Sequence, residues 1–259
     1  LVLVTRPQAE AQRWVAGLRT LGLNAQALPL IVIAPVLDLL PLHQAALRLG
    51  EFAAVMFVSG NAVSYFWAQL PAGVQQDWVQ GRFMTRAWSP GPGTTLALRQ
   101  AGLALSQIDT PAETAPQFDS EALWARVAAQ VRPGQRVLIV RGSDAQGQGA
   151  GRDWLAEQLD AAGVMVERLG AYRRLPPDWT APALAQAQQA ATDGAVWLFS
   201  SSEAIDNLTA QLPGQSWQAA RAVVTHARIA ATARRAGWGV VWEARPTLAA
   251  VAASIKSCK

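Results

Sequence analysis

The sequence predicts an α/β protein made of two similar parallel-sheet domains, and three observations carry that expectation. The first is internal repetition. Val2-Leu3-Val4-Thr5-Arg6-Pro7, a helical stretch closing at Leu18 to Gly22, and Leu28 to Pro35 return as Val137-Leu138-Ile139-Val140-Arg141-Gly142, a helical stretch closing at Leu159 to Gly163, and Leu169 to Pro176. The second is that later blocks repeat as well: Ala54 to Val63 matches Val196 to Ile205, and Arg82 to Gly102 runs parallel to Arg221 to Gly237. The third is the alternation of short apolar runs with helical ones, the pattern of parallel sheets covered on both faces. A chain of 259 residues accommodates two such domains, each of roughly 100 to 150 residues. Two similar α/β units imply a cleft between them, and small-molecule sites form preferentially at domain interfaces.

In chain order, Leu1 to Thr5 reads as a buried strand. A helix follows from about Gln8 to Leu21, with Trp14, Leu18 and Leu21 at i, i+4 and i+7 and Gly22 as its stop. A strand over about Ala25 to Ile33 ends before Pro35, and further strands are expected near Val55 to Val58 and Arg82 to Trp88. Helices near Asn61 to Leu70, Thr94 to Ala101 and Ser120 to Gln130 separate or follow them. After Pro133-Gly134 the pattern restarts, with strands near Arg136 to Val140, Val164 to Tyr172, Ala195 to Phe199, Ala222 to Thr225 and Val240 to Glu243. The helices expected among these are Asp153 to Ala162, Ser202 to Leu212, Arg228 to Ala236 and Thr247 to Ile255.

Composition narrows the chemistry. Hydrophobic residues make up 51% and charged ones 15%, which describes a packed globular chain. The most apolar run, Leu28 to Leu42, is broken by Pro29, Pro35, Pro41 and Asp38 and falls short of the ~20 residues of a membrane helix. With no export-signal pattern at the first residues, the expected compartment is the cytoplasm. Cys258 is the single cysteine, so no internal disulfide or thiolate metal cluster is expected. The only lysines are Lys256 and Lys259, which leaves no lysine inside the fold for a Schiff base or a phosphate loop. His43 and His226 are the only histidines, too few for a histidine-rich metal site, and no GxSxG is present. The net charge of +4 comes from scattered arginines without a basic run, so no nucleic-acid partner is expected. The stretch Gly142 to Gly151 is rich in glycine but lacks GxGxxG spacing and a phosphate-loop lysine, so it reads as a flexible insertion.

In parallel α/β folds, ligands sit beyond the carboxyl ends of the strands. The residues expected there are Thr5 and Arg6; Ser59, Gly60 and Asn61; Ser89 to Thr95, with Gly93 and Thr94 at a helix start; Arg141 and Gly142; Ser200, Ser201 and Ser202; and Thr225 with His226. Hydroxyls, glycines, an amide and arginines at helix starts offer backbone N–H groups and neutral donors, which suit carboxylate or phosphate groups. Ser59 and Ser202 are also the residue types of helix N-caps, and Arg6 and Arg141 fit ordinary ion pairs equally well. His226 reads as a loop or cap residue, and the eleven tryptophans as core contacts.

The ordered blocks resemble one family, uroporphyrinogen-III synthase. They are Leu3 to Pro7, Leu28-Pro29-Leu30-Ile31, Phe57 to Val63, Gly91-Pro92-Gly93-Thr94-Thr95, Val137 to Gly142, Ala171-Tyr172-Arg173-Arg174, Phe199 to Ile205 and His226 to Ala230. The sequence departs from the family pattern at Ser200-Ser201-Ser202-Glu203 and in the glycine-rich stretch after Arg141. The repeat alone places a boundary near Pro133. The resemblance implies instead two flavodoxin-like domains, one discontinuous over 1–35 and 173–259 and the other over 36–172, joined by a two-stranded hinge.

The resemblance further implies a lyase that cyclises hydroxymethylbilane, a linear tetrapyrrole with eight carboxylates, into uroporphyrinogen III with ring D inverted and water lost. No metal or organic cofactor is implied, and the expected state is a monomer that takes its substrate from the preceding pathway enzyme by transient contact. Tyr172 is the implied proton donor to the leaving hydroxyl, and a hinge-packing tyrosine is the alternative. Two rival functions remain open to the residues alone, a two-lobed sensor without catalysis and a small two-domain glycosyltransferase. Product analysis with fresh bilane separates them.

Overall fold

The computed structural model describes residues 1–115, 117–144 and 153–257. Its strands are β1 (Val2–Val4), β2 (Ala25–Ala27), β3 (Val32–Pro35), β4 (Ala54–Phe57), β5 (Arg86–Trp88), β6 (Ile108–Asp109), β7 (Arg136–Ser143), β8 (Met165–Leu175), β9 (Val196–Phe199), β10 (Arg221–Val224) and β11 (Val240–Glu243). Its α-helices are α1 (Gln8–Thr20), α2 (Leu40–Leu47), α3 (Gly60–Trp67), α4 (Ala72–Val79), α5 (Pro92–Gln100), α6 (Ser120–Val127), α7 (Trp154–Ala161), α8 (Ala181–Ala190), α9 (Ser202–Gln211), α10 (Ala227–Arg235) and α11 (Leu248–Ser257). The chain divides into two compact units: unit 1 is Leu1–Val32 with Leu175–Lys259, and unit 2 is Ile33–Arg174. It crosses from one to the other within β3 and β8, which are neighbours in one sheet.

Unit 1 is built on a five-stranded sheet in the order β11-β10-β9-β1-β2, parallel at every pair. The N-terminal strand lies inside it, with Val2 opposite Val196 on one side and Ala25 on the other. A central strand must be covered on both faces, and β1, β9 and the last three residues of β10 are accordingly apolar and buried. Alternation then sorts the side chains. Val2, Val4, Val196, Leu198 and Val223 pack with Ala11, Val15 and Leu18 of α1 and Val251 and Ile255 of α11. Trp197 and Phe199 point to the opposite face, where Trp197 meets Trp217 and Trp238 edge-on and those two stack at 4.4 Å.

Unit 2 carries a six-stranded sheet in the order β3-β8-β7-β4-β5-β6, with β5, β6, β7 and β8 each parallel to a neighbour. The four residues of β4 are all buried and split between two layers. Val55 and Phe57 face Phe66 of α3, Trp78 of α4 and Leu98 of α5, while Ala54 and Met56 face Leu123 of α6 and Leu159 of α7.

Several expectations need correction. The strand expected over Ala25 to Ile33 is two strands in different sheets, β2 and β3. Pro29 has no N–H to continue a ladder, and Leu28 and Leu30 donate instead to the carbonyls of Val4 and Thr5. The strand expected from Arg82 begins only at Arg86, because Arg82 N–H is still engaged in closing α4, on Asp77 O. In α1 the buried stripe is Ala11, Val15 and Leu18, whereas Leu21 caps the helix and is 37% exposed. The helix ends there because Gly22, at φ +79°, lets Leu23 N–H reach Leu18 O. Gly163 closes α7 the same way at φ +76°, with Val164 N–H on Leu159 O, so the duplication extends to the helix caps. The helices α2, α4 and α8 add to the expected set, and Pro41, Pro71 and Pro182 stand at their starts, where proline's fixed φ favours a helix.

Candidate functional site

The carboxyl ends of the parallel strands are where the expected polar residues lie, and each unit has its own set. In unit 2 the set centres on Tyr172. Between β7 and β8 the register runs evenly to Arg141 opposite Gly170 and then jumps to Gly142 opposite Tyr172, which leaves Ala171 as the extra residue of a bulge. Strict alternation sends consecutive side chains to opposite faces. The bulge breaks that rule, and Ala171 and Tyr172 both enter the core shared with Phe57 and Phe66.

Tyr172 is 1% exposed, and its ring lies 5.8 Å from that of Tyr65. Its hydroxyl lies 3.0 Å from Ser59 Oγ. The ring rests on the backbone of Gly142, where a Cβ would come within 2.8 Å of Cε2 and Cζ. Gly142 and Ser143 therefore belong to β7 and not to a loop, which corrects the reading of Gly142 as the start of an insertion. The remainder of that stretch, 145–151, lies outside the described residues. The tyrosine expected to face a ligand is instead enclosed in the core of its own unit and presents itself through Ser59, which is half-buried.

Ser59 is the N-cap of α3, its Oγ accepting from Ala62 N–H at 3.1 Å. At Gly60 α3 lies against α5, where a Cβ would make ordinary contacts of 3.5 Å with Ala97 Cβ and 3.6 Å with Gly93 O. Ser59, Gly60 and Asn61 thus share one corner with Gly93 and Thr94, of which Gly93 is exposed and Thr94 buried. Ser89 keeps the turn before α5 in shape, donating to Gly91 O at 2.8 Å and meeting Thr95 Oγ1 at 2.9 Å. Arg141 is held by Asp153, its Nη1 donating to Oδ1 at 2.5 Å.

Unit 1 repeats this plan with different contacts. Thr5 is buried and spent on the scaffold, donating from Oγ1 to Leu198 O at 2.8 Å. Arg6 donates to Glu10 Oε2 at 3.2 Å and lies over the Trp14 ring at 4.2 Å. Burial pushes the Arg6 guanidinium below its ordinary pKa, and Glu10 pulls it back. Among the described residues its Nε is buried without a hydrogen-bond partner. The i, i+4 spacing from Arg6 to Glu10 was a legible signal for this pair, whereas the partnership of Arg141 with Asp153 had none.

The N-cap of α9 is Ser201 and not Ser202 as expected, because the helix begins at Ser202, and Ser201 makes no side-chain capping bond. Ser202 instead accepts from Thr232 Oγ1 at 3.2 Å, a partner the sequence did not single out. Ser200 and Thr225 are half-buried at the ends of β9 and β10, and Thr225 N–H donates to Phe199 O. His226 caps α10, its Nδ1 accepting from Arg228 N–H at 3.1 Å. Among the described residues, no helix is long and apolar enough to cross a membrane.

Comparison with known proteins bears on both the fold and the family. Two solved structures are similar across both units: a mutant uroporphyrinogen III synthase from the extremely thermophilic bacterium Thermus thermophilus and uroporphyrinogen-III synthetase from Helicobacter pylori. The first has a TM-score of 0.53 at 15% identity, over 99% of this chain and 98% of that one. The second has a TM-score of 0.60 at 15% identity, over 91% and 93%. At that identity they speak for the fold alone. A curated relative from Chlorobaculum parvum, a uroporphyrinogen-III synthase, is 30% identical over 177 residues, 68% of this chain. The match spans less than two thirds of that relative's own length, 64%. The family model for uroporphyrinogen-III synthase HemD matches residues 12–253, nearly every element from α1 to α11. With so much of both units inside that match, the chain belongs to the uroporphyrinogen-III synthase family.

Proposed function

We propose that the chain closes hydroxymethylbilane into uroporphyrinogen III, inverting ring D and releasing water. The observation that carries this reading is the family match over residues 12–253, which takes in the expected strand ends of both units apart from Thr5 and Arg6. Their chemistry supports it. The substrate has eight carboxylates, and the corners at Ser59, Gly93 and Ser201 each begin a helix of at least eight residues, α3, α5 and α9, whose first N–H groups lack intrahelical acceptors and attract anions. Arg6 and Arg141 are already paired with Glu10 and Asp153, so in this proposal they shape the local potential while backbone N–H and hydroxyl groups make the direct contacts.

The reaction begins with departure of the ring A hydroxyl as water, assisted by a proton. The azafulvene so formed is attacked by the substituted carbon of ring D, and the resulting spiro centre fragments and recloses. The pyrroles supply the electron push, so the protein's tasks are orientation and delivery of one proton. Holding reactive ends in register can contribute up to roughly 7–11 kcal/mol. Tyr172 is the proposed proton source. The octa-acidic substrate belongs in an aqueous compartment, and the proposed working form is a cytoplasmic monomer that receives the bilane by transient contact with the enzyme that makes it. Product-isomer analysis with freshly prepared bilane tests the reading. Isomer III in excess over the spontaneous isomer I is the expected result, and isomer I alone overturns it.

A further inference from the structure

The geometry points to Ser59 as the hydroxyl that meets the substrate, with Tyr172 acting only through it; the inference rests on the function proposed above. The argument is a count of donors and acceptors. A serine hydroxyl has one proton and two lone pairs. One lone pair of Ser59 Oγ accepts from Ala62 N–H at 3.1 Å, and Tyr172 Oη lies 3.0 Å away. Were Ser59 the donor in that contact, the phenol proton of a residue 1% exposed would need another acceptor. Among the described residues the Tyr172 hydroxyl has no second partner, and buried donors are rarely left without one. Tyr172 therefore donates to Ser59.

Both lone pairs of Ser59 are then filled and its own proton is left to point out of the corner, on a residue that is half-buried while the tyrosine is enclosed. A hydroxyl that accepts two hydrogen bonds is polarised as a donor. Two features of the backbone hold the arrangement. The bulge at Ala171 aims the phenol at Ser59, and the missing side chain at Gly142 makes room for the ring.

In the proton step, the Ser59 Oγ–H bond breaks as its proton passes to the departing hydroxyl oxygen. The C–O bond breaks with its electron pair on that oxygen, which leaves as water, and the pyrrole nitrogen lone pair, pushed through the ring, forms the exocyclic double bond of an azafulvenium cation whose charge balances the phenolate. The Tyr172 proton moves to Ser59 Oγ. The phenolate recovers a proton along the same path when the macrocycle closes and a ring carbon gives one up. Ser59 is the catalytic residue in this scheme and Tyr172 a positioning residue and proton reserve.

A double-mutant cycle on isomer III formation tests this, using Ser59→Ala, Tyr172→Phe and the pair, with Ser59→Gly as a second hydroxyl-free variant that keeps a helix-start residue. Thermal melts establish that each variant is folded. Each single change is expected to lower kcat by about 10- to 10⁴-fold with KM little moved, the double variant to fall no further than the worse single, and Ser59→Thr, which keeps the hydroxyl, to recover most of the rate. Losses that multiply in the double variant, or wild-type kcat in folded Ser59→Ala or Ser59→Gly, overturn the inference. Wild-type protein that yields only isomer I sinks the proposed function itself, so the two failures are distinguishable.

Discussion

The Ser59 corner of unit 2 and the Ser201 corner of unit 1 occupy equivalent places in the repeat, yet they have been put to different uses. Ser59 caps α3 and holds the Tyr172 hydroxyl, while Ser201 makes no capping bond and its neighbour Ser202 is engaged by Thr232. The position equivalent to Tyr172 is Ile31, buried and without a polar group, and the position equivalent to Gly142 is Pro7. What the copies share is the framework. In both, the arginine in the repeated block, just past β1 or within the last residues of β7, is largely buried and paired with a carboxylate, Arg6 with Glu10 and Arg141 with Asp153. A duplicated scaffold thus keeps its electrostatics in both copies and confines the phenol–hydroxyl pair to one.

The largest expected effect breaks the comparison at its most polar point. Tyr172→Phe retains the ring against Gly142 and Tyr65 and removes the hydroxyl, so isomer III formation falls by about 10- to 10⁴-fold and the mixture shifts toward isomer I. A tyrosine that serves packing alone would instead lower the melting temperature and leave turnover intact, which rate and melting measurements on one sample separate.

Next comes the contrast between two glycines of the β7–β8 pair. At Gly142 a Cβ meets the Tyr172 ring at 2.8 Å, whereas at Gly170 the nearest atom is Ser143 Cβ at 3.5 Å, an ordinary contact. Gly142→Ala is expected to cost about 1–3 kcal/mol in chemical denaturation, the range for overpacking a core, and Gly170→Ala clearly less. Equal costs would mean that the ring shifts freely at Gly142.

The helix caps give a smaller contrast. Gly22 and Gly163 both have positive φ, but only at Gly163 would a Cβ also meet Pro133, at 3.2 Å. Alanine at either position costs about 1–2 kcal/mol for the left-handed backbone, and Gly163→Ala should exceed Gly22→Ala. Reversal of that order in urea melts would show that α7 refits its terminus more readily than α1.

Smallest in stability is the contrast between the two serines. Ser59→Leu removes a capping bond worth about 0.5–2 kcal/mol, whereas Ser201 has no such bond to lose. Both substitutions crowd a helix start and should weaken bilane binding, and Ser59→Leu should in addition lose the stability of its cap, read in urea melts. Wild-type affinity and turnover in both folded variants would remove these corners from the site.

What the sequence determined by itself is local or repeated. Buried apolar runs specify β1, β4, β9 and β10, because a strand covered on both faces has to be apolar throughout. Glycines at the ends of α1 and α7 specify where those helices stop, and the repeated blocks identify the strand ends where Ser59, Arg141 and Ser201 stand. The prolines at the starts of α2, α4 and α8 are marks of the same local kind. What only the tertiary structure decided depends on contacts between distant residues. No periodicity in Ala25 to Ile33 announces that the run is divided between two sheets. The register jump that turns Tyr172 inward exists only once β7 and β8 are paired. The hydrogen bond between Tyr172 and Ser59 spans 113 residues, and only the fold sets Asp153 against Arg141. Residue type and spacing record which groups a chain carries along its strand ends. Which of those groups are satisfied by the protein, and which keep a proton facing outward, is settled by packing.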